Sequence, residues 1–310
     1  MVDIQRLESV LVEAMAILPD DACRLFHGRG HCYPGLEFIN IDWFRPVIWV
    51  VLYGEVAHKT VADINQLLIT IAIDIPAVEG IALQRRVKGK TQQSVIYGKL
   101  PQPVYAYENG MRYELNLADN QNIGFFLDAM PARQWVREHA AGKRVLNLFA
   151  YTCSFSVVAL QGGAEKVVNI DMAKGAIATG QRNHHINPVE PAKASFLPHD
   201  IFRSTRKLQD MGPYDLVIVD PPSRQKGSFE AEKDYLRLLK KLESMLADNA
   251  TIVACLNAPY LAEDFLSAVF SEALPDYPLL QRLPQRGDFP EKDLNRTLKM
   301  QIYTRQAAIL

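Results

Sequence analysis

Three acidic residues stand where apolar runs end: Asp171 after residues 166–170, Asp200 after Leu197-Pro-His, and Asp220 after residues 216–219. The last is the most informative, because Asp220 is followed at once by Pro221 and Pro222. A strand that is apolar on both faces belongs inside a covered parallel sheet. In such sheets ligands bind just beyond the carboxyl ends of the strands. Proline has no N–H and a fixed φ, so the chain leaves this strand stiffly, with carbonyls available as acceptors. Asp220 is therefore a carboxylate held beside rigid acceptors at a ligand-binding edge. The plainer alternative is a strand end followed by a Pro-rich turn. Asp171 lies about twenty residues beyond the turn 149–154, where a carboxylate can take two ribose hydroxyls. Asp200 is placed to meet an adenine amino group.

Other reactive side chains carry less. Cys23, Cys32, Cys153 and Cys255 are scattered without a CxxC pair, which favours reduced thiols in the cytoplasm over a disulfide frame or a zinc site. Cys255 ends the apolar run 251–255, either as a nucleophile at the same edge or as a small buried hydrophobe. His184 and His185 are adjacent on a helical run, so their side chains point apart; they read as surface or cap residues, and no metal is expected. The segment from Arg144 to Ser156 contains no glycine, so the dinucleotide fingerprint GxGxxG is absent.

The elements that must position these groups follow from periodicity. Residues 3–18 have helical apolar spacing and end at Pro19. Strand-like runs at 36–41, 46–53, 80–86 and 94–97, with a helix at 61–73, make a small α+β domain over 1–100. Residues 105–109 and 112–116 alternate around Asn109-Gly110, a two-residue hairpin signal, and 101–129 is the linking segment. From about residue 130 helices (132–139, 155–161, 173–186, 229–247, 261–273) alternate with strands (144–149, 166–170, 216–220, 251–255, 299–304). That alternation predicts an α/β doubly wound, Rossmann-like sheet over 130–310. The chain has 310 residues, a net charge of -1 and no apolar run of membrane-spanning length. Nucleic acid could then be met only by a local basic face, for which 85–90 with Lys99, and 203–207, are the candidates.

The order Gly124-Phe-Phe-Leu-Asp128, Leu146-Asn-Leu-Phe-Ala-Tyr-Thr152, Gly162-Gly-Ala, Asp171, Asn183, Asp200 and Asp220-Pro-Pro resembles class I S-adenosylmethionine methyltransferases. More narrowly it resembles the bacterial 23S rRNA 5-methylcytosine methyltransferases and the guanine-methylating halves of fused 23S rRNA enzymes. The likeness runs from about Cys23 to the C-terminus, and the PUA-type domain that opens the 5-methylcytosine enzymes has no counterpart in these residues. The resemblance implies S-adenosylmethionine as cofactor, S-adenosylhomocysteine as product, and ribosomal RNA as partner in the cytoplasm, without a membrane. It is compatible with a homodimer. It implies that Asp171 holds ribose and Asp200 the adenine end. Phe149, Ala150, Tyr151, Thr152, Cys153 and Ser154 would line the methionine and ribose portion, and Asp128 with Arg133 the amino-acid end. Asn147, Met172 and Ile201 join the cofactor set, while Asp220, Pro221, Pro222 and Cys255 make the catalytic set.

Departures from the family pattern bear on the substrate. Relatives have glycine where this chain has Cys153, so the turn must tolerate a side chain or bind cofactor less well. An aromatic that relatives carry two positions after the second proline is Arg224 here, able to stack on a base or meet a phosphate. Ala254 and Leu256 replace the serines that flank the cysteine of 5-methylcytosine enzymes. Asn257 is a further candidate for holding an amine. The run 286–299 resembles a family feature that closes the active site before the last strand. Cytosine C5 and a guanine amine both remain open as acceptors. So do a protein or small-molecule substrate, and a catalytically degenerate protein that binds RNA or another partner.

Overall fold

The computed structural model describes residues 3–117, 122–225 and 229–305. Contacts divide the chain into two compact units, Met1–Leu127 with Arg286–Asp293, and Asp128–Gln285 with Leu294–Leu310.

In the first unit, α1 (Ile4–Met15) is capped by Asp3, whose side chain accepts from the Arg6 N–H at 2.9 Å. Its buried Leu7, Leu11 and Met15 recur every four residues and form one face. Five strands follow: β1 (Cys23–His27), β2 (Ile39–Phe44), β3 (Val47–Tyr53), then helix α2 (His58–Ala72), β4 (Gly80–Val87) and β5 (Lys90–Gly98). They pair in sequence order, and only β3 and β4, joined through α2, run parallel. Helices α1 and α2 cover one face, with Leu7, Leu11, Ile64 and Leu68 packed on Ile41, Trp43, Val50 and Leu83. Strand β1 was not expected, because a bulge between Arg24 and Phe26 breaks its alternation. The hairpin of β6 (Val104–Glu108) and β7 (Met111–Leu115) turns at Asn109 and Gly110, both at positive φ (50° and 78°) as a type I′ turn demands.

The segment 286–293 makes its contacts in this unit. Asp288 accepts from the Arg24 N–H at 2.8 Å, Arg286 donates to the Ala22 carbonyl at 3.3 Å, and the Arg24 guanidinium lies 4.3 Å from the Phe289 ring.

The second unit runs α3 (Met130–His139), β8 (Arg144–Leu148), α4 (Ser154–Gln161), β9 (Lys166–Ile170), α5 (Lys174–Ile186), β10 (Ala194–Leu197), α6 (Thr205–Met211) and β11 (Tyr214–Val219). A short pair β12 (Arg224–Gln225) and β13 (Phe229–Glu230) precedes α7 (Ala231–Leu242), β14 (Leu246–Leu256), α8 (Phe265–Ala273), β15 (Leu279–Arg282) and β16 (Lys299–Thr304). The seven-stranded sheet has the order β10-β9-β8-β11-β14-β16-β15, with β16 antiparallel to both neighbours. The winding reverses at β8, between β9 and β11, which opens a crevice at the carboxyl ends of those strands.

Two expectations are corrected here. The helix expected over 229–247 is shorter: 229–230 pairs as β13, and Leu246 already begins β14. Strand β15 carried no readable signal because its residues are mostly exposed on the sheet edge. Among the described residues no helix is long and apolar enough to cross a membrane, and no group of three His, Cys, Asp or Glu could hold a metal ion.

Candidate active site

Strand β8 delivers the chain to the crevice, and the turn after it is built without glycine. Phe149, Tyr151 and Cys153 take left-handed conformations at φ 55°, 48° and 62°. Each costs about 1–2 kcal/mol for a residue with a Cβ, so the surroundings must enforce the turn. They do so through the backbone. Ala150 N–H donates to the Ile170 carbonyl at 3.0 Å, Cys153 N–H to the Ala150 carbonyl at 2.7 Å, and Tyr151 N–H to Asp171 Oδ2 at 2.9 Å. From α5, Asn183 donates to the Thr152 carbonyl at 3.0 Å. Also on α5, a Cβ on Gly180 would lie 2.4 Å from Cys153 Sγ. The side chain at 153 is therefore accommodated by a missing one at 180, a residue that sequence reasoning passed over.

A buried polar chain lies beneath this turn. His184 Nδ1 is 2.7 Å from the Gly180 carbonyl, which can only accept, so that nitrogen carries a proton. Burial lowers the His184 pKa and favours the neutral ring, so Nε2 accepts from Ser156 Oγ at 2.8 Å. Ser156 in turn accepts from Asn169 at 3.0 Å, and Asn169 accepts from Asn147 at 2.9 Å. His184 is thus a fully buried anchor and not the surface or cap residue expected, while His185 is exposed. Asn147, expected at the cofactor, joins this chain of hydrogen bonds, buried one residue before the carboxyl end of β8.

Phe149, Asp171, Met172, Asp200, Ile201, Phe202 and Gln225 line one shallow cleft of about 300 Å3. Five of these seven were expected there from sequence. Asp171 Oδ1 accepts from the Ala173 N–H at 2.8 Å and Oδ2 from Tyr151. Each carboxylate oxygen has a second lone pair, so the group can still take two ribose hydroxyls. Asp200 Oδ1 accepts from the Arg203 N–H at 2.8 Å. With Met172, Ile201 and the aromatic rings as apolar walls, the lining fits an adenosine group. Asp171→Ala should weaken S-adenosylmethionine binding by about 1–3 kcal/mol, read by calorimetry; an unchanged dissociation constant would remove Asp171 from the site.

The acceptor end is charged. Half-buried Asp220 has its pKa raised to about 7, first by burial and then by Asp128, with Arg133 opposing. Asp128, Arg133 and Asp220 are thus within electrostatic reach of one another, and Arg133 is buried. Pro221 is buried and Pro222 half-buried. Cys255 feels the same charges, Asp220 and Asp128 against Arg133, but it is fully buried beside Val253, Met300 and Ile302, and burial first, then the two carboxylates, drives its thiol well above the ordinary range. Arg224 is exposed and paired with Glu230 at 3.1 Å across β12 and β13.

This sheet order, with a cleft at the carboxyl ends of its strands, is that of a class I methyltransferase fold. The chain superposes on a provisionally assigned methyltransferase solved with S-adenosylhomocysteine at a TM-score of 0.84 and 25% identity, over 98% of this chain and 82% of that one. The S-adenosylmethionine-dependent methyltransferase family matches residues 23–304, and the chain belongs to that family. S-adenosylmethionine is its cofactor. Among named relatives, a Bacillus subtilis protein provisionally called ribosomal RNA large subunit methyltransferase YwbD is 30% identical over 285 residues, 86% of this chain and 70% of that one. Ribosomal RNA large subunit methyltransferase I of Aeromonas salmonicida is 28% identical over 83% of this chain and 67% of its own length.

Proposed function

We propose that this enzyme methylates a base of ribosomal RNA in the cytoplasm, and that the acceptor is an exocyclic amine. The relatives' names support ribosomal RNA as the substrate. The single observation favouring an amine is the burial of Cys255: methylating a ring carbon such as cytosine C5 first needs an accessible thiolate, and this thiol is buried and held protonated.

Bound S-adenosylmethionine supplies an electrophilic methyl group on a sulfonium. The residues around it bind and orient. Asp171 takes the ribose hydroxyls and Asp200 the adenine amine, while the turn 149–154 lies along the ribose and methionine. Arg133 meets the carboxylate of the amino-acid end and Asp128 its ammonium. Asp220 and the Pro221 carbonyl accept the two N–H groups of the target amine, which aims its lone pair at the methyl carbon. Asp220 would take the proton that the amine gives up on receiving the methyl group. A base stacked in RNA cannot reach this position unless it is unpaired or flipped out. The basic stretch 85–90 of the first unit is the candidate for contacts to RNA phosphates.

Mass-spectrometric mapping of ribosomal RNA with and without the gene should find one methylated base missing. Cys255→Ala should restore that methyl, and RNA carrying 5-fluorocytosine should leave no covalent adduct. Loss of activity in Cys255→Ala together with a trapped adduct would replace the amine by cytosine C5. An unchanged modification map would remove ribosomal RNA as the substrate.

A further inference from the structure

We infer that Tyr260, on the loop after β14, is the stacking platform for the target base, an assignment that rests on the nucleobase reading above. A flipped base brings two unsatisfied flat faces, and a methyltransferase that holds only its amine edge leaves the ring free to rotate away from the methyl group. Next to Asp220-Pro221-Pro222, Arg224 cannot offer an aromatic face and is held by Glu230. Tyr260 is aromatic, 60% exposed, and leans to this same loop, its hydroxyl 3.4 Å from the Ser223 carbonyl. Ser223 directly follows Pro222, and its carbonyl also accepts from the Ala231 N–H at 3.1 Å, so the tyrosine is tethered at a fixed point of the acceptor loop.

The backbone beneath Tyr260 is also held. Lys299 is buried and its Nζ donates to the Asn295 carbonyl at 2.6 Å and to the Ala258 carbonyl at 3.5 Å. Leu261 N–H closes the turn onto Ala258 at 3.1 Å. A large ring left in water on an anchored loop, beside the groups that face the acceptor, is what a stacking site requires. An aromatic supplied from this loop also explains how the acceptor loop can carry Ser223-Arg224 and still serve a base.

The test uses the full chain with ribosomal RNA from cells lacking the gene. Tyr260→Ala should lower kcat/KM for that RNA roughly ten- to a hundredfold, with the dissociation constant for S-adenosylhomocysteine unchanged, whereas Tyr260→Phe should keep most of the activity. In parallel, a single-stranded oligonucleotide containing 2-aminopurine should be quenched on binding wild type with S-adenosylhomocysteine, and not on binding Tyr260→Ala. Wild-type kcat/KM in Tyr260→Ala, or a Tyr260→Phe as impaired as the alanine variant, would overturn stacking in favour of loop anchoring. If wild type methylates no ribosomal RNA, the quenching still decides: Tyr260-dependent quenching retains the platform and removes the substrate, and its absence removes the platform as well.

Discussion

Replacing Asp220 by asparagine should cut methyl transfer by a factor of about 100 to 10,000 and at the same time make the protein more stable above neutral pH. The carboxyl's pKa is about 7 in the folded chain against 3.8 ordinarily, because burial and then Asp128 disfavour its charge more than Arg133 favours it. Between those two values the folded state holds a proton that the unfolded state has released. Stability therefore falls as pH rises through that window, and the whole penalty is present above about pH 7. Asparagine carries no such penalty. Discounted for a carboxylate that is only half-buried, the gain should be about 1–3 kcal/mol at about pH 8 and should vanish below about pH 4, read as denaturant midpoints at the two pH values. Activity moves the other way. The wild-type kcat/KM should rise as pH passes through about 7, since only the ionised carboxyl can take the amine proton. The asparagine variant should lose a factor of about 100 to 10,000, the usual contribution of a positioned base. A variant that is both active and unstabilised would remove Asp220 from the acceptor site.

Gly180→Ala should damage the cofactor turn from a distance. In an open helix this change stabilises by about 1 kcal/mol. Here the new Cβ would lie 2.4 Å from Cys153 Sγ, 3.0 Å from Cys153 Cβ and 3.3 Å from the Thr152 carbonyl carbon. Cys153 is fully buried and already left-handed, so the turn itself must shift. The expected cost is about 1–3 kcal/mol in stability, with weaker binding of S-adenosylhomocysteine, because Phe149 and Asp171 of the cleft are tied to the same turn. Cys153→Gly removes the obstructing atoms and places a residue with no left-handed penalty. The double variant Cys153→Gly, Gly180→Ala should therefore recover most of both losses, a coupling that a double-mutant cycle measures directly. Additive effects would show that the two positions do not share one space.

The lining of the cleft was legible in the sequence to the extent that it depends on strand ends. Asp171, Asp200 and the turn after β8 follow from apolar runs that stop at an acid, and a parallel sheet presents such ends along one edge. For Asn147, position along a strand is readable, but the partner its side chain takes is not, here Asn169 on β9. His184 was missed because a histidine on a helix looks alike whether it meets water or a serine from α4. The short β1 and β15 went unread because a bulge in one and exposure in the other erase alternation.

The sequence by itself determined the doubly wound sheet through its β–α alternation, and the class of reaction through the resemblance that its motif order carries. Tertiary structure alone decided what each local choice costs and permits. A cysteine can stand in a left-handed turn because Gly180 of α5, far along the chain, has no side chain and leaves it room. A cysteine at a strand end is buried because side chains of α3, β14 and β16 pack into one cluster with it. Both outcomes depend on which side chains share a volume, and volume is shared between residues far apart in the chain.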